Sequence, residues 1–137
     1  LDTGLCAYLL KWDNPEALER GAMGGAFFES YVFSEIYKSY LNAGKEPPLY
    51  YYRDKEKREI DLLLYENATL YPIEIKKAAS PDKAAIKNFN ALAPLENPKD
   101  AELAGLKTSI GTGAVICMAN DVLPIDRGNW VVPVWVV

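Results

Sequence analysis

Histidine is absent from the 137 residues. That gap removes Ser-His-Asp triads, Cys-His dyads, His-liganded zinc and His-ligated haem in one step. Cysteine is scarce: Cys6 and Cys117 have no metal-ligand spacing, and their apolar neighbours mark them as reduced core residues. No apolar run approaches the ~18–20 residues of a membrane span, and no basic stretch precedes an apolar one at the start. The expectation is a cytoplasmic chain with no membrane partner. Positive charge is also short, with 15 Lys+Arg against 19 Asp+Glu and a net charge of −4. This argues against a domain that holds nucleic acid through bulk positive charge. Any chemistry is left to carboxylates, lysines, hydroxyls or a hard metal.

What is present suffices for a core. Half the residues are hydrophobic and 25% are charged, so residues 1–137 read as one domain that folds without staples. The chain opens on Leu1 in apolar helical spacing, as expected of a piece of a longer protein. Residues 1–12 read as a short helix or turn before Asn14-Pro15, and 21–42 as the longest helix, closed by Gly44 as a left-handed cap. Three strands follow: 49–53, 59–66 and 69–78. Asp54–Arg58 and Asn67-Ala68 serve as hairpin links. Ser80-Pro81-Asp82 reads as a helix start with Ser80 as N-cap, and that helix runs to about Leu92. Strands at 113–118 and 130–137 complete the order. A helix between the 69–78 and 113–118 strands is the mark of a parallel crossover. The class is α/β, with a mixed sheet of about five strands flanked by helices.

The residues that could carry chemistry lie on the second and third strands and the long helix. Glu74 and Lys76 are two apart, so they share a strand face, while Ile73 and Ile75 take the other. Asp61 on the preceding strand shares its face with Glu59 and Leu63 and can meet Glu74 at one end of the sheet. Two carboxylates there can hold a hard cation such as Mg2+. Lys76 can orient or deprotonate a water, or steady a phosphate oxygen. Glu29 falls within the apolar face of the long helix, where a carboxylate is costly unless paired or metal-bound. Gly24 and Gly25 would let that helix approach the sheet. Glu35, beside Lys38, lies towards the edge. Each residue also has a plainer reading. Glu74-Ile75-Lys76 alone fits a solvated strand face, Asp61 a strand start met by backbone donors, and Glu29 a structural ion pair with Lys76 or Arg58.

Taken together, Glu29, Asp61 and Glu74-Ile75-Lys76 resemble the PD-(D/E)xK nuclease core, although Ile60 stands where that motif has proline. Five segments resemble more closely the C-terminal domain of unknown function that follows the ATPase domain in bacterial and archaeal AAA-type ATPases. These are Leu1-Asp2-Thr3-Gly4-Leu5, Gly25-Ala26-Phe27-Phe28-Glu29, Tyr51-Tyr52-Arg53-Asp54, Arg58-Glu59-Ile60-Asp61-Leu62 and Pro133-Val134-Trp135. The resemblance implies a restriction-endonuclease-like core acting on DNA or RNA phosphodiesters with Mg2+ or Mn2+. Asp61 and Glu74 would be metal ligands, Glu29 a supporting acid that also faces the metal, and Lys76 the directing cation. It implies an N-terminal ATPase domain in the parent chain as a partner. Similar cores also serve as non-catalytic modules that bind nucleic acid or a protein and regulate the ATPase, and the acidic balance favours that alternative.

Charge is unevenly spread. Residues 45–87 hold nine Lys/Arg against eight Asp/Glu, whereas the rest hold six against eleven. The positive charge thus gathers near the constellation, as a phosphate backbone needs, unless Asp54–Arg58 is simply a solvated turn. Tyr50-Tyr51-Tyr52 could stack bases, with core packing of alternate tyrosines the expected use. Gly105-Leu106-Lys107-Thr108 lacks the glycine before lysine of a phosphate loop and reads as an ordinary turn.

Overall fold

The computed structural model describes residues 2–12, 14–96 and 108–137. Residues 105–107 of the turn just mentioned lie outside it. Helix α1 (Thr3–Leu9) is capped by Asp2, whose Oδ1 accepts from Leu5 N at 2.9 Å. Helix α2 (Pro15–Arg20) is capped by Asn14, which accepts from Ala17 N at 2.7 Å. Gly21 is extended and ends α2, so the long helix α3 starts three residues later than expected, at Gly24–Asn42. It closes in a Schellman turn: Gly44 has φ +68°, its N–H meets Leu41 O, and Lys45 N–H meets Tyr40 O.

Strands β1 (Leu49–Arg53), β2 (Glu59–Glu66) and β3 (Thr69–Lys76) form an antiparallel meander. Asn67 and Ala68, both at positive φ, make the two-residue β2–β3 turn whose twist matches the strands. A 3-10 helix, Lys83–Leu92, runs into α4 (Ala93–Glu96). Its N-cap is Asp82, which accepts from Ala84 N at 2.9 Å, and not Ser80. The winding suits the sequence: at three residues per turn, Ile86, Phe89 and Leu92 eclipse into one apolar stripe. That stripe packs on Ile60 and Leu63.

After β4 (Ser109–Ile110), strands β5 (Gly113–Cys117), β6 (Leu123–Pro124) and β7 (Asn129–Pro133) complete the sheet. Its order is β1-β2-β3-β5-β7-β6, with β4 on β3. The β3–β5 and β5–β7 pairs are parallel, and β6–β7 is antiparallel. Five strands have five residues or more, so the mixed, helix-flanked α/β sheet is as expected and compatible with a restriction-endonuclease-like core. The final strand stops at Pro133, because proline brings no N–H to the ladder. Residues 134–136 turn into a 3-10 helix with Trp135 exposed.

The two sheet faces carry separate cores. On one, Val32 of α3 meets Ile75 and Ile116, with Phe28 and Ile36 alongside. On the other, the 83–92 helix covers Ile60 and Leu63. A Cβ at Gly113 would run into Asn129 and Phe89, so glycine there lets the helix lie against β5. Cys117 is buried in a third cluster, but Cys6 is an exposed free thiol and not a core residue. It sits on α1, which has no buried residue. The close approach expected of Gly24 and Gly25 is also different. Gly24 is crowded by the Leu18 and Glu19 carbonyls of α2 and by Lys77, whereas Gly25 faces open space.

Candidate functional site

Strand alternation on β3 sends Ile73 and Ile75 to the α3 face, leaving Glu74 and Lys76 on the opposite one. There the two form an ion pair, Lys76 Nζ to Glu74 Oε1 at 2.6 Å, with side chains 43% and 8% exposed. Glu74 is thus the buried partner, and among the described residues its Oε2 has no hydrogen-bond partner. Such an orphaned carboxylate oxygen is rare in folded proteins and points to an interaction beyond the donors of the described residues. Burial pushes the Glu74 carboxyl above its ordinary value, against the hydrogen bond from Lys76, with Asp61 adding to the rise. Burial works against the charged form of Lys76 as well. The hydrogen bond and charge of Glu74, with Asp61 and Glu29, outweigh it and raise its pKa.

A β-bulge positions Asp61. On β1, Tyr50 faces Leu63 and Tyr52 faces Ile60, so Tyr51 alone lies against both Asp61 and Leu62. The extra residue breaks strand parity, which is why Ile60 and Leu63 pack on the same helix. Asp61 therefore does not share a face with Leu63 as strict alternation predicts. The β2–β3 ladder runs to Leu62–Ile73. One step further, where Asp61 comes opposite Glu74, the Asp61 side chain takes over: its Oδ2 accepts the Ile75 N–H at 2.7 Å. One carboxylate oxygen is thereby fixed to the sheet.

Asp61, Glu74 and Lys76 line an open cleft of about 700 Å³. Glu29 reaches it from α3, but as an exposed residue at the rim and not within the apolar face. The inward stripe of α3 is Phe28, Val32 and Ile36. Partial burial, then the charge of Asp61, raises the Glu29 carboxyl, with Lys76 opposing. Glu35 is held by Lys38 at 2.5 Å. Lys57 and Lys87 close the cleft from the β1–β2 turn and the 83–92 helix. Sequence reasoning passed over Asn88, which lines the cleft and donates to Glu59 O at 2.9 Å, tying helix to sheet. Its only signal was its place next to Phe89 in the period-three stripe.

The lining holds five carboxylates against three lysines, so it attracts cations. Among the described residues, no group of three or more His, Cys, Asp or Glu is arranged to hold a metal ion. A cation here would rest on Asp61 and Glu74, with water or phosphate oxygens completing its shell. The orphaned Glu74 oxygen fits such an ion.

The family described as "Domain of unknown function (DUF4143)" matches residues 24–137. The chain belongs to that family. The DUF4143 stretch contains α3, the whole sheet and all four of Glu29, Asp61, Glu74 and Lys76; α1 and α2 precede it. Uncharacterised proteins of Mycobacterium bovis (strain ATCC BAA-935 / AF2122/97) and Mycobacterium tuberculosis (strain ATCC 25618 / H37Rv) are each 38% identical to it over 80 residues. The match takes in 58% of this chain and 17% of each relative, so the chain spans a small part of these longer proteins. No solved structure matches it. Among the described residues, no helix is long and apolar enough to cross a membrane.

Proposed function

We propose that this DUF4143 chain is a metal-dependent nuclease-like module that hydrolyses phosphodiester bonds of DNA or RNA, attached to an AAA-type ATPase in its parent protein. The observation that carries this reading is the meeting of Asp61, Glu74 and Lys76 in one cleft, with a buried Glu74 oxygen left without a partner. Asp61 and Glu74 would hold Mg2+ or Mn2+, with Glu29 a supporting acid at the rim. When bound, the cation supplies positive charge against the phosphate and lowers the pKa of water. Lys76, ion-paired yet 43% exposed, presents an ammonium to a phosphate oxygen and steadies the charge that develops there. Lys57 and Lys87 hold the neighbouring backbone phosphates.

The test is Mg2+- and Mn2+-dependent cleavage of single-stranded and duplex DNA and RNA by wild type, Asp61→Ala and Lys76→Ala. Each variant should lose about a hundredfold or more, and Mg2+ should raise the thermal midpoint of wild type but not of Asp61→Ala. Equal cleavage by all three overturns the reading. The surplus of carboxylates over lysines favours the second reading, a non-catalytic module that binds nucleic acid or a protein and regulates the ATPase. Neither cleavage nor a Mg2+-dependent midpoint would then be seen.

A further inference from the structure

Tyr51 has no part in the chemistry above, and neither core takes it up. It is 59% exposed and lines a second cleft of about 410 Å³ together with Ser30, Phe33 and Leu62. Both clefts share Glu29, Glu59 and Asp61, so they adjoin across the Asp61 bulge. Their walls differ in kind. Lys57, Lys76 and Lys87 belong to the first, and the aromatic rings of Tyr51 and Phe33 to the second. Alternate tyrosines do not pack into the core, because Tyr50 and Tyr51 are both exposed and Tyr52 alone joins it. The bulge brings Tyr51 beside Asp61, while Tyr50, 55% exposed, lines neither cleft. An exposed aromatic side chain next to a groove that carries lysines is the combination by which single strands are held: bases stack on the ring while the backbone follows the cations.

We infer that the second cleft is a nucleobase subsite. One unpaired base of a single-stranded segment stacks on Tyr51, and the phosphate next to it lies among Lys57, Lys76 and Lys87. A base inside a duplex has both faces covered by its neighbours, so the subsite selects single-stranded or locally opened nucleic acid. The inference rests on the reading of the first cleft as a phosphodiester site and adds the form of substrate to it.

The experiment measures binding of a dye-labelled 12-nucleotide single strand, the matching duplex and inorganic polyphosphate in Ca2+, which takes oxygen ligands as Mg2+ does, for wild type, Tyr51→Ala, Tyr51→Phe and Tyr50→Ala. Tyr51→Ala should weaken single-strand binding about tenfold, as expected for one lost stacked base. Tyr51→Phe should stay within about twofold of wild type because the ring face is kept. Tyr50→Ala should match wild type, and polyphosphate binding should be the same in all four. Circular dichroism checks that each variant folds. Wild-type affinity in Tyr51→Ala overturns the subsite, as does an equal loss of polyphosphate binding or no single-strand binding by wild type. Mg2+-dependent cleavage, measured in parallel, separates the two claims. Tyr51-dependent binding without cleavage sinks the hydrolytic reading and keeps the subsite; cleavage with Tyr51-independent binding does the reverse.

Discussion

The β1–β2 turn and the open end of the β2–β3 pair each enclose a carboxylate, and they treat it in opposite ways. Asp54 in the turn is surrounded by donors. Its Oδ1 accepts from Glu56 N and Arg58 N, both at 2.9 Å, and its Oδ2 accepts from Arg58 Nε at 2.6 Å. Partial burial opposes the charge, but these hydrogen bonds and the Arg58 guanidinium hold its carboxyl below the usual range. Glu74, at the end of the pair, is more deeply buried and has one partner for two oxygens. Its carboxyl is pushed up. A carboxylate used to shape a loop is satisfied by the loop itself. One left half-satisfied next to an open cleft is a local cost that the rest of the fold sustains, the pattern expected where binding or chemistry is the use.

The largest effect that would sharpen this contrast is on the Glu74–Lys76 pair. Lys76→Met strips the remaining partner from a buried carboxylate. Removing one member of a fully buried pair costs about 3–5 kcal/mol. Because the Lys76 side chain is 43% exposed, solvent screening reduces the expected loss to about 1–3 kcal/mol. The double variant Glu74→Leu/Lys76→Met removes the charges together and should be as stable as wild type or more so. Urea unfolding of the three proteins reads this. A double variant less stable than Lys76→Met would mean the pair is structural, and the contrast with Asp54 would fall.

Asp54→Asn comes next. It keeps an acceptor for the two backbone N–H groups and loses the charge that faces Arg58, so it should unfold at lower urea than wild type without a change in slope. The pH dependence follows from the direction of the shift. Asp54 has a lowered pKa in the folded chain, so its stabilisation is complete above the unfolded carboxylate value and is lost as pH falls through the lower folded one. The gap between wild type and Asp54→Asn should therefore be widest near neutral pH and close in acid. For Glu74 the sign reverses. A raised folded value means the cost of its charge is felt above that value and relieved on acidification. A gap for Asp54→Asn that widens in acid would contradict the satisfied-turn reading.

Period-two reasoning sufficed where the ladder is regular. The shared face of Glu74 and Lys76, the Asn67-Ala68 turn and the Gly44 cap follow from local chemistry alone. It failed where pairing partners decide. Nothing in Glu59-Ile60-Asp61-Leu62-Leu63 signals that two residues of β2 oppose Tyr51, and that one slip sets the direction of Asp61 and the exposure of Tyr51. Glu29 was misplaced by one helical position, since both 28 and 29 fit an apolar stripe until the sheet selects Phe28. Helix α2, absent from the expected elements, has local signals of its own: Asn14-Pro15-Glu16 supplies N-cap, first-turn proline and first-turn acid. The 3-10 winding of 83–92 has its trace in the spacing of three from Ile86 to Phe89 to Leu92. The apolar neighbours of Cys6 predict a core residue, but their hydrophobicity says nothing about whether a partner element covers them.

The smallest expected effect tests whether the contrast holds beyond one turn. Asp126, in the link between β6 and β7, resembles Asp54 in taking its donors from its own turn, but through one oxygen: its Oδ1 accepts from Gly128 N at 2.9 Å and Asn129 Nδ2 at 2.8 Å. These hydrogen bonds, against a lesser desolvation, lower its carboxyl. Among the described residues it has no arginine ion pair like that of Asp54, and the charge of Lys83 contributes least to the shift, so more of its value lies in hydrogen bonds that a neutral acceptor can also receive. Asp126→Asn should therefore lose less stability than Asp54→Asn, and its gap to wild type should vary less with pH, because less of the interaction depends on ionisation. Chemical unfolding of the two variants at neutral and acid pH compares them directly. Equal losses would mean the guanidinium adds nothing to the β1–β2 turn. A larger loss at Asp126 would mean that the short β6–β7 pairing, and not donor count, sets how much a turn carboxylate matters here.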